Sequence, residues 1–234
     1  MSLFNNLIDV FFPKRCFGCG VLGVYICTKC QKDLKIIDRD ACPYCLKPSF
    51  FGLTHPGCQR KTGIDGLKSL LFYNALLKRI IKQIKYRLVT SAVEDLVDAI
   101  PISKLFELAT FKEITENPII IPTPLSTNRL HRRGFNQSEI LSTIIAKKIN
   151  IDKNFTLLER HIDTKPQVSL KTPKERYLNV RGAFTLAKGK CRLIKNRDLI
   201  IVDDVWTTGS TLKEIARKLK LSGARRVYAL TLAR

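Results

Sequence analysis

Eight side chains near the start of the sequence have the identity and spacing of metal ligands. Cys16 and Cys19, Cys27 and Cys30, Cys42 and Cys45, and His55 and Cys58 are each separated by two residues. A turn of that spacing points two ligands at one tetrahedral ion, and two turns complete its coordination. The eight ligands therefore accommodate two zinc ions. Used in order, the pairs give one site of four cysteines and one of three cysteines with His55. Cross-braced pairing satisfies the same spacing. Disulfides are the competing reading, but nothing in the sequence points outside the cytoplasm, where thiols stay reduced. A redox C-x-x-C is a weaker rival, since such motifs rarely come in fours. Few aliphatic residues separate these ligands, so metal must supply much of the module's stability. In small modules structural zinc contributes about 10–16 kcal/mol of apparent binding energy. Cys191 stands alone and reads as an ordinary thiol.

A second constellation lies in RDLIIVDDVWTTGSTLKEIARKLKLSG, residues 197 to 223. An apolar strand runs into Asp203 and Asp204. In open parallel sheets ligands bind beyond the carboxyl ends of the strands. Two adjacent carboxylates there can accept hydrogen bonds from a sugar's vicinal hydroxyls. Thr207, Thr208, Gly209, Ser210 and Thr211 follow at a helix N-terminus, where backbone amides and hydroxyls cradle an anion. Gly209 lets the backbone come close. A diol acceptor followed by a phosphate cradle describes a ribose 5-phosphate site. Asp-Asp pairs also bind magnesium or cap helices.

Charge points the same way. The chain has 41 lysines and arginines against 20 acids, a net charge of +21. The basic residues cluster, which favours a polyanion partner: nucleic acid, phosphates or an anionic surface. In NALLKRIIKQIKYR (74–87), Leu77, Ile80, Ile81 and Ile84 share one helical face, and Lys78, Lys82 and Lys85 the other. Arg79 and Arg87 add charge, and no acid offsets it. Such a face is either solvated surface or a grip on an anionic strand, single-stranded DNA in particular. Arg129, His131, Arg132, Arg133 and Gly134 form a cationic loop between a strand and a helix. Planar guanidinium forks match phosphate oxygens there, and His131 reads as an exposed loop residue.

The elements that must hold these groups read as α/β. Hydrophobic residues make up 45% of the chain, enough for a core. Its length suits one domain plus a small module, with residues 1–65 as the zinc module and 66–234 as the second domain. GLKSLLFYN (66–74) predicts a strand leading to a helix, and 91–109 a helix bent or broken at Pro101. Ile119 to Ile121 predict a buried parallel strand ended by Pro122 and Pro124, with the next helix starting about Asn136. The polar, basic 159–184 stretch reads as a long loop of the functional or mobile kind. A strand, loop and helix follow, stopped by Gly223, and RRVYALTLAR is a last strand. Alternating strands and helices give a largely parallel sheet. MSLFNNLIDVFF is short, is interrupted by Asp9 and lacks a basic flank. It reads as a short amphipathic helix through Leu3, Leu7, Val10 and Phe11, not a signal peptide. No transmembrane segment is expected, and the expected location is cytoplasmic.

IIVDDVWTTGST resembles the phosphoribosyl diphosphate (PRPP) binding motif of type I phosphoribosyltransferases. With the C-x-x-C pairs, IKYR, PTPL, RRGFNQ, PQVSL and NVRGAF, the chain is similar in order over almost its whole length to the ComF/ComFC family. That family is associated with competence and DNA uptake. His55 departs from it, since the family often has cysteine there. The resemblance implies a type I phosphoribosyltransferase-like parallel sheet flanked by helices, behind an N-terminal zinc ribbon. It implies that Asp203 and Asp204 hold ribose hydroxyls and that Thr207 to Thr211 hold the 5-phosphate. Thr123, Pro124 and Leu125 would approach pyrophosphate, with Arg132 or Arg133 neutralising it. Arg176 and the 164–176 stretch would close over the site, and magnesium would bridge diphosphate and ribose oxygens. The general reaction displaces pyrophosphate from an anomeric carbon through a cationic sugar, aided by leaving-group neutralisation and water exclusion.

No cluster in the sequence plainly reads a nucleobase acceptor. Three functions therefore stay open: a transferase with an unknown acceptor, a PRPP-binding regulator without catalysis, and a nucleic-acid handling protein of DNA uptake. In the last, the basic helix and zinc module grip single strands while the nucleotide site controls them, and a protein partner in the competence machinery is a further expectation. Trp206, the only tryptophan, sits inside the nucleotide loop and is assigned no catalytic role.

Overall fold

Strand β2 (Ile119–Pro122) is buried at every position, so it must be covered on both faces. It pairs in parallel with β6 (Asp198–Val205), Ile119 to Pro122 lying opposite Leu199 to Val202. Strand β7 (Arg226–Ala233) runs parallel beside β6, and β1 (Gly66–Leu71) parallel beside β7. The short β3 (Asp152–Lys153) completes the order β1-β7-β6-β2-β3. The computed structural model describes residues 13–87, 89–164 and 170–234. The expected helix through Leu3, Leu7, Val10 and Phe11 lies outside the described residues, as does the 165–169 part of the expected closing loop.

Parallel neighbours require crossovers, and amphipathic helices supply them. Side chains alternate across the sheet. Leu70, Ile120, Ile200, Val202 and Leu230 join one core, which α2 (Ala75–Arg87), α3 (Ser91–Asp98) and α6 (Gln137–Ile149) cover. Leu67, Ile119, Ile121, Leu199 and Ile201 join a second core, under α9 (Ser210–Leu221). On α2, Leu77, Ile80, Ile81 and Ile84 are all 5% exposed or less. Burial of that size contributes about 1.5–3 kcal/mol per side chain, which is why a helix so rich in cations docks at all.

Local signals set the boundaries. Pro101 caps α4 (Ile102–Glu113) and breaks it from α3. The Asn136 side chain accepts the Ser138 amide proton at the start of α6. Gly223, at φ +99°, follows the end of α9.

Two expectations are corrected. Residues 127–133 are a helix, α5 (Thr127–Arg133), not a loop; Gly134 ends it with φ +65°. The 159–184 stretch is also partly regular. Strand β4 (Leu158–Arg160) pairs antiparallel with β5 (Phe184–Leu186), and α7 (Pro173–Val180) lies between them in sequence. Thr172 Oγ1 accepts the Glu175 amide proton, and the Glu175 carboxylate accepts the Thr172 amide proton. That reciprocal cap starts a helix that its polar composition conceals. A further short helix, α8 (Cys191–Ile194), leads into β6.

Among its described residues the amino-terminal module carries one short α-helix, α1 (Thr28–Lys32), and two single 3-10 turns at Phe50–Gly52 and Pro56–Cys58, and otherwise turns around its cysteines. It closes the sheet edge that β1 would leave open. The Ile37 amide donates to the Leu70 carbonyl at 3.0 Å and the Phe72 amide to the Lys35 carbonyl at 2.8 Å. Bridges join Ile36 to Leu71 and Leu53 to Gly66. An unpaired edge invites association with other chains, so this contact removes a liability. Lys68, 3% exposed, ties the module to α4 by ion pairs of 2.7 Å to both Asp40 and Glu107.

Candidate sugar-phosphate site and metal centres

The ligand atoms of Cys16, Cys19, Cys27 and Cys30 all lie within 4.8 Å of one another, and so do those of Cys42, Cys45, His55 and Cys58. Sulfurs around a tetrahedral zinc stand about 3.8 Å apart, given bonds of about 2.3 Å, so both clusters fit the ion. The pairs are thus used in order, and cross-bracing is excluded. At the second cluster His55 Nδ1 lies 3.3 Å from Cys45 Sγ, while Nε2 lies 3.1 Å from the Pro48 carbonyl. A proton on Nε2 donated to that carbonyl leaves Nδ1 free as a ligand. Burial works against ionisation of Cys16, yet the amides of Cys19, Cys27 and Gly18 bring its pKa down to about 6. That favours the thiolate that zinc requires.

At the carboxyl end of β6, Asp203 and Asp204 are adjacent but held by different helices. Asp203 Oδ1 accepts from Ser138 Oγ of α6 at 3.1 Å and from the Asp204 amide at 2.9 Å. Asp204 is ion-paired with Lys85 of α2, their side chains 14% and 23% exposed. Ile81, Ile84, Leu96, Leu141 and Leu232 line a small cavity beside this pair. Burial, then the neighbouring Asp204 charge, pushes Asp203 up to about 7. Burial acts on Asp204 in the same sense, but the Lys85 ammonium overrides it and holds that carboxyl below its ordinary value.

The next residues turn the chain into α9. Gly209 has φ +71°, and a Cβ there would come within 2.3 Å of the Trp206 ring, so only glycine fits. Thr208 Oγ1 and Ser210 Oγ are 2.8 Å apart, and Thr207 is exposed. The Ser210 amide donates to Thr208 Oγ1 at 3.4 Å, and the turn sets the N-terminus of α9 just beyond the carboxyl end of β6, the place where anion cradles form.

Beyond the end of β2 come Thr123, Pro124 and Leu125. The Thr123 amide donates to the Val202 carbonyl at 2.8 Å, and its carbonyl accepts from Asn136 Nδ2 at 3.1 Å. Its hydroxyl is buried and has no hydrogen-bond partner among the described residues. Several arginines follow on α5 and β4. Arg133 bonds Gln137 Oε1 at 3.3 Å, and its charge acts on Asp204. Arg132 is exposed. Arg129 reaches the Thr164 carbonyl at 2.5 Å. Burial, reinforced by Arg129, lowers Arg160 to about 10, and its guanidinium lies 5.3 Å from the Phe184 ring centre. Asp163 partly offsets these cations, standing 3.7 Å from Arg129 and accepting from Ser126 Oγ at 2.6 Å; a phosphate is matched by guanidinium forks of this kind.

Residues 7–60 match the double zinc ribbon domain model and residues 136–234 the phosphoribosyl transferase domain model. The chain is 30% identical over 233 residues to the DNA utilization protein YhgH of Escherichia coli O157:H7, covering 95% of this chain and 97% of that one. The chain belongs to the ComF/ComFC family. Competence protein F of Haemophilus influenzae is 29% identical over 96% of this chain and 98% of its own. Competence protein ComFC of Bacillus subtilis is 27% identical over 89% and 84%.

On this ComF-type scaffold the expected residues are not all gathered at one point. Asp203, Asp204 and Thr207 to Thr211 sit on consecutive turns of one strand-loop-helix unit. Arg176 lies on α7, where it donates to the Leu170 carbonyl at 3.1 Å rather than to either aspartate. Lys85 is a correction. It was expected on the solvent face with Lys78 and Lys82, which are exposed, but it lies next to Ile81 around the helix and reaches Asp204 instead. Ser138, Arg160 and Tyr73 were missed. Tyr73, whose hydroxyl is raised by burial, feels the charges of Lys85 and Asp204 and so stands near the pair. RRGFNQ contained Ser138's neighbours, but no sequence signal pairs a serine with a carboxylate 65 residues away. Among the described residues no helix is long and apolar enough to cross a membrane.

Proposed function

We propose that this chain binds PRPP with magnesium at the carboxyl end of β6 and handles single-stranded DNA in the cytoplasm during DNA uptake. The observation that carries the reading is the continuous unit of Asp203, Asp204 and the Thr207–Thr211 turn at the end of β6, with Thr123 bonded to the neighbouring Val202 carbonyl and the charges of Arg133 and Arg160 reaching the aspartates. The 5-phosphate takes the amides of the turn and the hydroxyls of Thr208 and Ser210. Ribose hydroxyls donate to Asp203 and Asp204, and the diphosphate lies toward Thr123, Arg132 and Arg133. Magnesium would supply charge neutralisation at the diphosphate when bound.

Pyrophosphate displacement by an acceptor is the reaction this cradle supports. Arginines neutralise the leaving group, and the carboxylates beneath the sugar stabilise positive charge at its ring. The names of the relatives, which speak of competence and DNA utilization, support the DNA arm, as do Lys78 and Lys82 on α2. Calorimetry with PRPP and magnesium tests the binding. One saturable site per chain is expected, and no heat at millimolar ligand would refute it. Pyrophosphate release with candidate acceptors then separates a transferase from a PRPP-sensing regulator.

A further inference from the structure

The turn between Cys42 and Cys45 carries Tyr44 into the second domain. Its hydroxyl accepts the Ile64 amide proton at 2.8 Å, and a Cβ at Gly63 would come within 2.4 Å of that oxygen. The ring is therefore fixed in place. The Arg60 guanidinium lies 4.8 Å from its centre and Lys213 Nζ 5.3 Å from it. Lys213 belongs to the first turn of α9. The same ammonium is 5.3 Å from the centre of the Trp206 ring and donates to the Thr208 carbonyl at 3.1 Å. Trp206 is 5% exposed and forms the floor on which Gly209 rests. One cation thus joins Tyr44, in the turn between two ligands of the second metal centre, to two parts of the phosphate turn, Trp206 and Thr208.

We propose that Tyr44 and Lys213 are positioning residues, through which the second metal centre fixes the shape of the phosphate turn. The proposal rests on the sugar-phosphate reading of that turn and adds what holds it ready. An ammonium held between two aromatic faces is strongly placed. A preorganised cradle binds more tightly than one that must order on contact. In this arrangement both act through the shape of the turn. Simple packing between module and domain would use the same rings but would not require the bond to Thr208.

The test uses full-length Tyr44→Leu, Tyr44→Phe, Lys213→Met and the Tyr44→Leu/Lys213→Met double variant. Each is measured for zinc content, Trp206 emission with acrylamide quenching, and ribose 5-phosphate affinity by calorimetry. Tyr44→Leu and Lys213→Met should each increase quenching and weaken ribose 5-phosphate binding about three- to tenfold, with zinc unchanged. The double variant should be no weaker than the weaker single, because both cut one chain of contacts. Tyr44→Phe keeps the ring and should keep the affinity. Unchanged quenching and affinity in Lys213→Met, or losses that simply add in the double variant, would overturn the proposal. Should Tyr44→Leu lose metal, Lys213→Met decides alone, since it lies on α9, outside the metal-binding module. A wild-type chain that ignores ribose 5-phosphate would refute the sugar-phosphate reading, and the quenching comparison would still decide whether the stack sets the turn.

Discussion

Asp203 carries the sharpest conflict between stability and binding. Its pKa, raised to about 7 by burial and by Asp204, means the folded chain holds a proton there that the unfolded chain releases near pH 4. Stability from this group is present at low pH and is lost as pH rises through about 7. Asp203→Asn removes that cost. The variant should melt higher than wild type at pH 8, by about 1–3 kcal/mol in unfolding free energy, with the gain shrinking toward pH 5. It should also lose PRPP binding; a variant no more stable at pH 8 would contradict the assignment. Lys85 predicts the opposite sign. Lys85→Met strands the Asp204 carboxylate in an apolar setting and should cost about 1–3 kcal/mol at neutral pH, less than a fully buried pair because water reaches both groups. Urea titration at pH 7 and pH 5 checks it, the loss fading as Asp204 gains a proton. The motif VDDVWTTGST identified both carboxylates, because chemistry and position lie in adjacent residues. Their partners Ser138 and Lys85 were illegible, because they arrive from helices that only the folded chain brings together.

The helices divide by how well sequence exposes them. The apolar stripe of α2 reads directly from 3.6-residue spacing, and the Pro101 break and Asn136 cap are equally plain. Helix α5 was hidden because its arginines and histidine carry no apolar stripe, and α7 because a capping box, not hydrophobicity, starts it. The outer face of α2 now reduces to Lys78 and Lys82, with Arg79 donating to the Gly18 carbonyl at 2.7 Å. Lys78→Glu with Lys82→Glu should weaken single-stranded DNA binding and flatten its salt dependence by about two phosphate contacts. Fluorescence anisotropy across a salt series measures this. Unchanged affinity at low salt would make the face solvated surface.

At the scale of the molecule, the parallel sheet and the two-part layout follow from strands alternating with helices after a cysteine-rich start. The manner in which the module seals the edge of β1 does not, since its pairings join residues such as Ile36 and Leu71 across distant chain. That seal gives metal a reach beyond its own ligands. Metal analysis should find about two zinc ions per chain, and stripping them should unfold residues 16–60 and lower the melting temperature of the whole chain. An apo chain that melts as the native one does would show that the module stands apart energetically. The sugar-phosphate site itself is tested most directly by a crystal structure with PRPP and magnesium. The account predicts the 5-phosphate on the amides of Thr207 to Thr211, ribose hydroxyls on Asp203 and Asp204 with the Lys85 contact displaced or shared, and diphosphate against Thr123 and Arg133. Ligand density elsewhere, with the Asp204–Lys85 pair intact and the turn empty, would contradict it.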